Sequence, residues 1–254
     1  MHGVAGNAER FNNLIRHLGL DESIYVILEP KEILTRIEDT AARLIEEIRT
    51  VQPHGPYFLA GYSFGGLISF EMAQQLRREG EDVALVALID CGQPLFRKDR
   101  MGVLLSPARF VLYLRRLKEL LSDPGSRSTI YSRIRDEVWR LIFFKSPLGG
   151  AVRRMSRPDA EPAPPASGMR QAAKIESAMK YQPARFSGRI SIFRAEERTV
   201  VDKFDRFLGW SGLANQIDVY DVPGDHVSMG DEPYVSVLGG KLRSAIETAR
   251  QERA

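Results

Sequence analysis

The residues best suited to do chemistry lie in the pentapeptide Gly61-Tyr62-Ser63-Phe64-Gly65. An apolar stretch at residues 57–61 precedes the serine, and apolar residues at helical spacing follow it at residues 64–78. A sharp turn between a strand and a helix presents a serine hydroxyl outward, and glycines flank it because a β-carbon would collide with neighbouring backbone. The pattern therefore predicts Ser63 as a nucleophile.

The residue after the serine offers a second chemical group. Phe64 would be the first residue of the helix, so its backbone N–H has no partner within that helix. This N–H and the helix dipole both favour negative charge that develops beside Ser63. We predict the Phe64 N–H as one donor of an oxyanion hole.

A serine hydroxyl is a poor nucleophile until a base takes its proton, so the histidines are the next candidates. The sequence has four of them: His2, His17, His54 and His226. His226 lies in a glycine-containing loop, at residues 223–226, after the last predicted strand. In α/β-hydrolases the chain order is nucleophile, acid, histidine, and this order favours His226. His54, in the turn before the nucleophile strand, remains the alternative.

A carboxylate must orient the base and stabilise the imidazolium that forms on it. Asp90 follows an apolar run at residues 83–89, so a parallel sheet would bring it to the same edge as Ser63. Asp202 follows a later strand pattern at residues 190–194, at the position that most α/β-hydrolases use. The residues alone leave both candidates open.

The elements that position these residues alternate between helical and extended patterns. The unbroken apolar run at 83–89 is typical of a strand covered on both faces, and strands separated by helices indicate a parallel sheet. We therefore predict an α/β-hydrolase, with a mostly parallel sheet and helices on both faces. Helices are predicted at 8–18, 35–51 (opened by a Thr35/Glu38 capping box), 64–78, 170–181 and 232–249, and strands at 24–28, 57–61, 83–89, 189–194 and 217–222.

The middle of the chain departs from this alternation. Residues 95–157 have helical patterns and carry fifteen Lys and Arg against five Asp and Glu, a net charge of +10. A proline-rich stretch follows to residue 167 and has the composition of a linker. We predict an inserted helical unit with its linker at 95–167, between the two parts of the core at 1–94 and 168–254.

Composition excludes several classes of protein. The 254 residues are 43% hydrophobic and 27% charged, as in ordinary globular proteins. The single cysteine, Cys91, excludes an internal disulfide and a cysteine-built zinc site, and we expect it to be a small buried neighbour. No apolar run is long enough to span a membrane and no secretory signal is evident, so we expect a cytoplasmic protein. We find no metal motif and no phosphate-binding loop, and we predict no cofactor.

Three stretches of the sequence resemble the type I thioesterase domains that end modular polyketide and nonribosomal peptide synthases. They are GPYFLAGYSFGG at 55–66, ALVALID at 84–90 and VPGDH at 222–226. In that family the acid ends the strand after the elbow helix, which implies Asp90, and the histidine loop implies His226. The sequence HGVAGN at 2–7 is similar to the family's oxyanion loop and implies the Val4 backbone N–H as second donor. The family has a strand ahead of that loop, where this sequence begins.

The resemblance also implies the reaction and the partners. It implies that an acyl or peptidyl chain leaves the phosphopantetheine thioester of a carrier protein through an acyl-serine, by hydrolysis or macrocyclisation. The insertion at 95–167 corresponds to the family's lid, whose positive charge would suit an acidic carrier protein. No nucleic acid or membrane partner is expected, and the oligomeric state, including a homodimer, stays open.

Two other functions are weighed against this one. The first is a freestanding carboxylesterase or a type II editing thioesterase, which would use the same triad. The second takes the basic segment as a nucleic-acid-binding surface. The basic residues alternate with apolar helix positions and lack stacking aromatics or a recognition helix, which argues against the second.

Overall fold

The structure is a computed structural model, and it describes residues 9–28, 30, 32–93, 166–197 and 205–253. The predicted insertion at 95–157, and its linker up to residue 165, lie outside the described residues. The division into a core and an inserted unit therefore stays a prediction. In the described part of the chain, no helix is both long and apolar enough to cross a membrane.

The described part of the chain contains five helices and four strands. The helices are α1 (Glu9–Leu18), α2 (Ile37–Arg49), α3 (Phe64–Arg78), α4 (Ala166–Lys180) and α5 (Tyr234–Gln251), and the strands are β1 (Tyr57–Tyr62), β2 (Val83–Ile89), β3 (Phe186–Ala195) and β4 (Ala214–Val222). A single 3₁₀ turn, Ser228–Gly230, precedes α5.

The four strands form one sheet in the order β1-β2-β3-β4, and every neighbouring pair is parallel. The register aligns their carboxyl ends, because Tyr62 pairs with Ile89 and Ile89 pairs with Phe193. At the other side, Ala195 pairs with Val222. The loops that follow β1, β2 and β4 therefore start at one edge of the sheet, where ligands of open α/β sheets bind.

The core lies on both faces of the sheet. Every residue of β2 is buried, and its side chains alternate between two apolar clusters. Val86 and Leu88 pack with the cluster that contains α2 and α3, whereas Leu85, Ala87 and Ile89 pack with the cluster of α1 and α5. Two covered faces explain why the sequence of β2 is continuously apolar rather than alternating.

Two local predictions are wrong. Residues 24–28 form no strand, and Ile24, Tyr25 and Leu28 are exposed. A strand exists only through hydrogen bonds to a neighbouring strand, and apolar composition does not supply that neighbour. The Thr35/Glu38 capping box is also absent, because α2 begins one residue later, with Arg36 as its N-cap and without a side-chain cap hydrogen bond.

Candidate active site

Ser63 lies on the turn that joins β1 to α3. Its backbone is in a rare conformation for a residue with a side chain, with φ of 53° and ψ of −121°. The sheet holds this turn in place, since the Ser63 N–H donates to the Ile89 carbonyl at 2.8 Å. The Ser63 carbonyl in turn accepts from the Gly66 N–H at 2.9 Å. The structure thus confirms the predicted strand-to-helix turn at the serine.

Two glycines near Ser63, Gly61 and Gly66, are required by close packing. A β-carbon on Gly61 would lie 2.2 Å from the Gly65 carbonyl oxygen. A β-carbon on Gly66, which the motif analysis did not single out, would lie 2.5 Å from Cβ of Cys91. Both distances are below van der Waals contact, so side chains at these positions would displace the turn or the end of β2.

Asp90 is the residue directly after β2, and both its backbone and its carboxylate are hydrogen-bonded to β3. Its backbone also has a positive φ, of 43°, and its N–H donates to the Phe193 carbonyl at 2.7 Å. Oδ1 accepts from the Ala195 N–H at 3.0 Å. The side chain is 5% exposed. A carboxylate held this way in the sheet edge can orient a partner with its second oxygen.

That partner is His226. Nδ1 of His226 lies 2.6 Å from Oδ2 of Asp90, a short hydrogen-bond distance. The imidazole is 49% exposed, and its ring stacks on Tyr62 with a centroid distance of 5.1 Å. When Nδ1–H faces a carboxylate, Nε2 is left as the nitrogen that can accept a proton. The structure therefore brings together two of the predicted site residues from positions far apart in the chain.

The loop that carries His226 is held by its own side chains. Oδ1 of Asp225 accepts from the Val227 N–H at 2.9 Å and from the Ser228 N–H at 2.8 Å. The Ser228 hydroxyl lies 2.8 Å from the Asp225 N–H, which donates to it. Gly224 has φ of 89°, where a side chain would be strained. These contacts define the backbone on both sides of the histidine.

Phe64 is the first residue of α3, as predicted, so its N–H lies where a helix leaves donors without helical partners. The side chain is buried. The ammonium of Lys174, from α4, lies 5.9 Å from the centroid of the Phe64 ring. The position of Phe64 suits the predicted role of its N–H as an oxyanion donor.

The other predicted residues separate into two groups. His2, Val4 and Asp202 lie outside the described residues. His54 precedes β1, at the opposite end of that strand from Ser63, and its Nδ1 is 3.0 Å from a Glu81 oxygen. His17 contacts Glu232 at 2.6 Å. The geometry therefore favours His226 over His54, the alternative base.

Cys91 is buried beside the site, as expected, with 1% of its surface exposed. Burial raises the pKa of its thiol, so the group stays protonated. Its carbonyl accepts from the indole N–H of Trp210 at 2.7 Å. In the part of the chain that the structure describes, no group of three or more His, Cys, Asp or Glu side chains is placed to hold a metal ion.

The sequence motifs did not predict two contacts at this site. The stack of Tyr62 on His226 joins residues 164 positions apart, and no local pattern indicates it. The second is the Ser228 hydroxyl, which braces the histidine loop. The spacing Asp225-x-x-Ser228 is the signal that could have predicted it, because aspartate and serine at this spacing commonly close a turn.

The parallel sheet, the strained serine turn and the late histidine loop place the chain among the α/β-hydrolases. Within this class, the family model of the thioesterase domain matches residues 1–239. The chain belongs to the thioesterase domain family.

Solved structures agree with this assignment. The NocB thioesterase domain, solved as a covalent complex with a fluorophosphonate nocardicin G analog, is 25% identical with a TM-score of 0.60, covering 96% of this chain and 91% of that one. The thioesterase RedJ from Streptomyces coelicolor is similar in fold, with 16% identity and a TM-score of 0.58 over 96% of this chain and 87% of that one.

The sequence relatives include large synthetases. Malpibaldin synthetase from Mortierella alpina is 25% identical over 97% of this chain, and chondramide synthase from Chondromyces crocatus is 26% identical over 99% of it. The chain spans only 4% and 7% of the length of these two relatives. Relatives of both the nonribosomal peptide and the polyketide type occur, the latter including a non-reducing polyketide synthase from Nectria.

Proposed function

We propose that the chain releases an acyl or peptidyl group from the phosphopantetheine thioester of a carrier protein through an acyl-Ser63 intermediate. The observation that carries this proposal is the 2.6 Å contact between Asp90 and His226 at the sheet edge where the Ser63 turn begins. The three residues have the order and the elements of a nucleophile, acid and base triad.

The positions of Ser63, Asp90 and His226 suit the following acylation step. Nε2 of His226 takes the proton of the Ser63 hydroxyl while the Ser63 oxygen attacks the thioester carbonyl. The Phe64 N–H, with the Val4 N–H as second donor, stabilises the oxyanion that results. One such donor contributes about 10²–10³ in rate. The carbon–sulfur bond then breaks, and the imidazolium returns the proton to the departing thiolate, which gives the free phosphopantetheine thiol.

Deacylation uses His226 as the base a second time. His226 takes a proton from water, or from a hydroxyl or amine within the acyl chain, and the new nucleophile attacks the acyl-serine. The bond between the acyl carbon and the Ser63 oxygen then breaks, and the His226 imidazolium returns the proton to that oxygen. Water gives a free acid, and an internal nucleophile gives a ring. A covering segment at 95–167 that excludes water and holds the internal group close would favour the ring.

Two comparisons support the proposal. The NocB thioesterase domain forms a covalent complex with a fluorophosphonate. Reagents of this type react with activated serine hydroxyls. The synthetase relatives support a carrier-bound substrate, since assembly on such enzymes requires release of the finished chain. No metal ion or cofactor takes part in any step of the proposed reaction.

The test is intact mass spectrometry of the chain with a fluorophosphonate probe and then with acyl-thioester substrates. We expect a single adduct on Ser63, no adduct on Ser63→Ala, and a transient acyl-enzyme with the thioester. The released product distinguishes hydrolysis from cyclisation. Equal labelling of the Ser63→Ala variant would contradict the proposed nucleophile.

A matched pair of substrates distinguishes the thioesterase from an esterase. The same acyl group is presented as a carrier-bound thioester and as an oxygen ester of a simple alcohol. We expect a higher kcat/KM for the carrier-bound thioester. A preference for the oxygen ester would instead favour the carboxylesterase alternative.

A further inference from the structure

Two contacts of the His226 imidazole come from the strand ends that flank it. Asp90 contacts Nδ1, and the Tyr62 ring lies against the imidazole with an interplanar angle of 27°. About half of the imidazole surface is exposed. The hydrogen bond at Nδ1 fixes that atom but does not by itself define the tilt of the ring plane, and Nε2 at the far side of the ring moves most when the ring tilts.

The stack removes this freedom. A flat aromatic surface at a centroid distance of 5.1 Å restricts the tilt of the imidazole, as offset stacking of two rings requires near-parallel planes. The hydrogen bond and the stack therefore act on different motions of the same side chain. Together they define the position of Nε2.

Tyr62 is well placed to set Nε2 relative to the nucleophile in particular. It is the last residue of β1 and is bonded directly to Ser63. Its backbone is in register with Ile89, and the Ser63 N–H donates to the carbonyl of that same residue. The aromatic surface and the nucleophile thus belong to one rigid strand end, which packs on the buried strand β2.

We infer that Tyr62 is a positioning residue for the proposed reaction: its ring fixes the plane of the His226 imidazole so that Nε2 stays aligned with the Ser63 hydroxyl. This inference rests on the proposed function. The ring face carries the effect, so phenylalanine replaces tyrosine, whereas leucine fills space without offering a flat surface. A role in packing alone would also favour phenylalanine over leucine, but its loss would lower stability rather than the kcat of the folded variant.

The test compares Tyr62→Phe and Tyr62→Leu in the full chain. Kinetics with an acyl pantetheine thioester measure kcat and KM separately, and thermal unfolding measures stability. We expect Tyr62→Phe to stay within about threefold of the parent kcat. We expect Tyr62→Leu to lose about tenfold to hundredfold in kcat with little change in KM, the loss typical of a small misplacement of reacting groups.

A spectroscopic measurement separates positioning from packing. A proton held in a short bond between His226 and Asp90 gives a far-downfield proton NMR resonance, which His226→Gln must lack. We expect this resonance in the parent and in Tyr62→Phe, and we expect it to broaden or vanish in Tyr62→Leu at a temperature where that variant is folded.

Three results would overturn the inference. The first is full activity and a sharp resonance in Tyr62→Leu. The second is a loss of kcat in Tyr62→Phe as large as that in Tyr62→Leu. The third is a loss of kcat that only follows the lower unfolding temperature of the variant. If the parent itself fails to label at Ser63, the proposed function fails. The resonance still reports whether Tyr62 orders the imidazole, so the two failures are distinguishable.

Discussion

Two residues of the site, Ser63 and Asp90, have side chains and yet adopt positive φ, at 53° and 43°. Such conformations cost about 1–3 kcal/mol each and persist only where the surrounding structure imposes them. Here the imposing contacts are backbone hydrogen bonds to the next strand, from Ser63 to Ile89 and from Asp90 to Phe193. Substitutions at these two residues therefore change stability as well as activity.

A comparison of Ser63→Gly with Ser63→Ala tests this strain. Both variants lack the hydroxyl, but only glycine adopts φ of 53° without a steric penalty. We expect the free energy of unfolding of Ser63→Gly to be about 1 kcal/mol higher than that of Ser63→Ala. Both variants should be inactive. Denaturant unfolding of the two variants measures the difference. Equal stabilities would contradict strain at this turn.

The role of Asp90 is tested by Asp90→Asn. The amide oxygen can still accept from the Ala195 N–H, so its NH₂ group faces Nδ1 of His226. An imidazole that accepts at Nδ1 carries its proton on Nε2 and cannot deprotonate Ser63. We expect kcat to fall by about 10⁴, the loss seen when a triad carboxylate becomes an amide in a serine protease, with KM nearly unchanged.

The same assay distinguishes the two carboxylates that the sequence left open. Asp202→Asn is the matched variant, and we expect it to retain most of the activity. A large loss in Asp202→Asn together with a small loss in Asp90→Asn would reverse the assignment of the acid.

At the scale of elements, a buried polar cluster joins α3 to the segment that follows α4. The Glu71 side chain is only 4% exposed. It accepts from the Tyr181 hydroxyl at 2.8 Å, from the Gln75 amide at 3.0 Å and from Arg78 at 2.9 Å. Burial, and next the charge of Glu71, raise the pKa of Tyr181, so the phenol remains a donor. The helix α3, which follows Ser63, is thus fixed to a distant part of the chain.

Tyr181→Phe removes one donor from this cluster. The Glu71 carboxylate would then be buried with one partner fewer, which costs about 1–3 kcal/mol of unfolding free energy. We expect a fall of that size in denaturant unfolding, and a small effect on kcat because the cluster lies outside the triad.

A double variant shows whether the charge of Glu71 causes the loss of stability in Tyr181→Phe. In a Glu71→Gln background the group that loses its donor is neutral, and a neutral group tolerates this better. We expect Tyr181→Phe to cost less in that background. Additive effects of the two substitutions would show that the residues do not interact.

At the scale of the whole molecule, charge is distributed unevenly along the chain. The net charge is +3, of which residues 95–157 contribute +10, so the remainder sums to −7. We propose that the basic segment attracts an acidic carrier protein. Such attraction raises the association rate and weakens as salt screens it.

Reversing four charges in this segment tests the proposal. The variant Arg115→Glu, Arg116→Glu, Lys118→Glu and Arg133→Glu is compared with the parent on a carrier-bound substrate at several salt concentrations. We expect kcat/KM to fall at low salt by about tenfold and the difference to shrink as salt rises.

A short thioester without a carrier protein is the control for this variant. We expect the parent and the variant to turn it over at the same rate, since no protein surface has to dock. A parallel loss on the short thioester would place the effect in the reaction itself and contradict a docking role.

The sequence by itself determined the features that neighbouring residues encode. The pentapeptide around Ser63 specifies a turn because its glycines leave room for backbone, and the apolar run of β2 specifies a strand covered on both faces. The placement of His226 in a glycine-containing loop after the last strand is equally local. These features depend on short-range sterics and on periodicity, both of which are visible in the order of residues.

Only the tertiary structure decided which distant groups meet. Asp90 and His226 are 136 residues apart, and their contact requires the register of the parallel strands β2, β3 and β4. The stack of Tyr62 on His226 and the contact of Tyr181 with Glu71 have the same origin. Residues 24–28 show the converse, because an apolar segment becomes a strand only where another strand offers hydrogen bonds. Such contacts depend on how elements pack, and no local pattern records that.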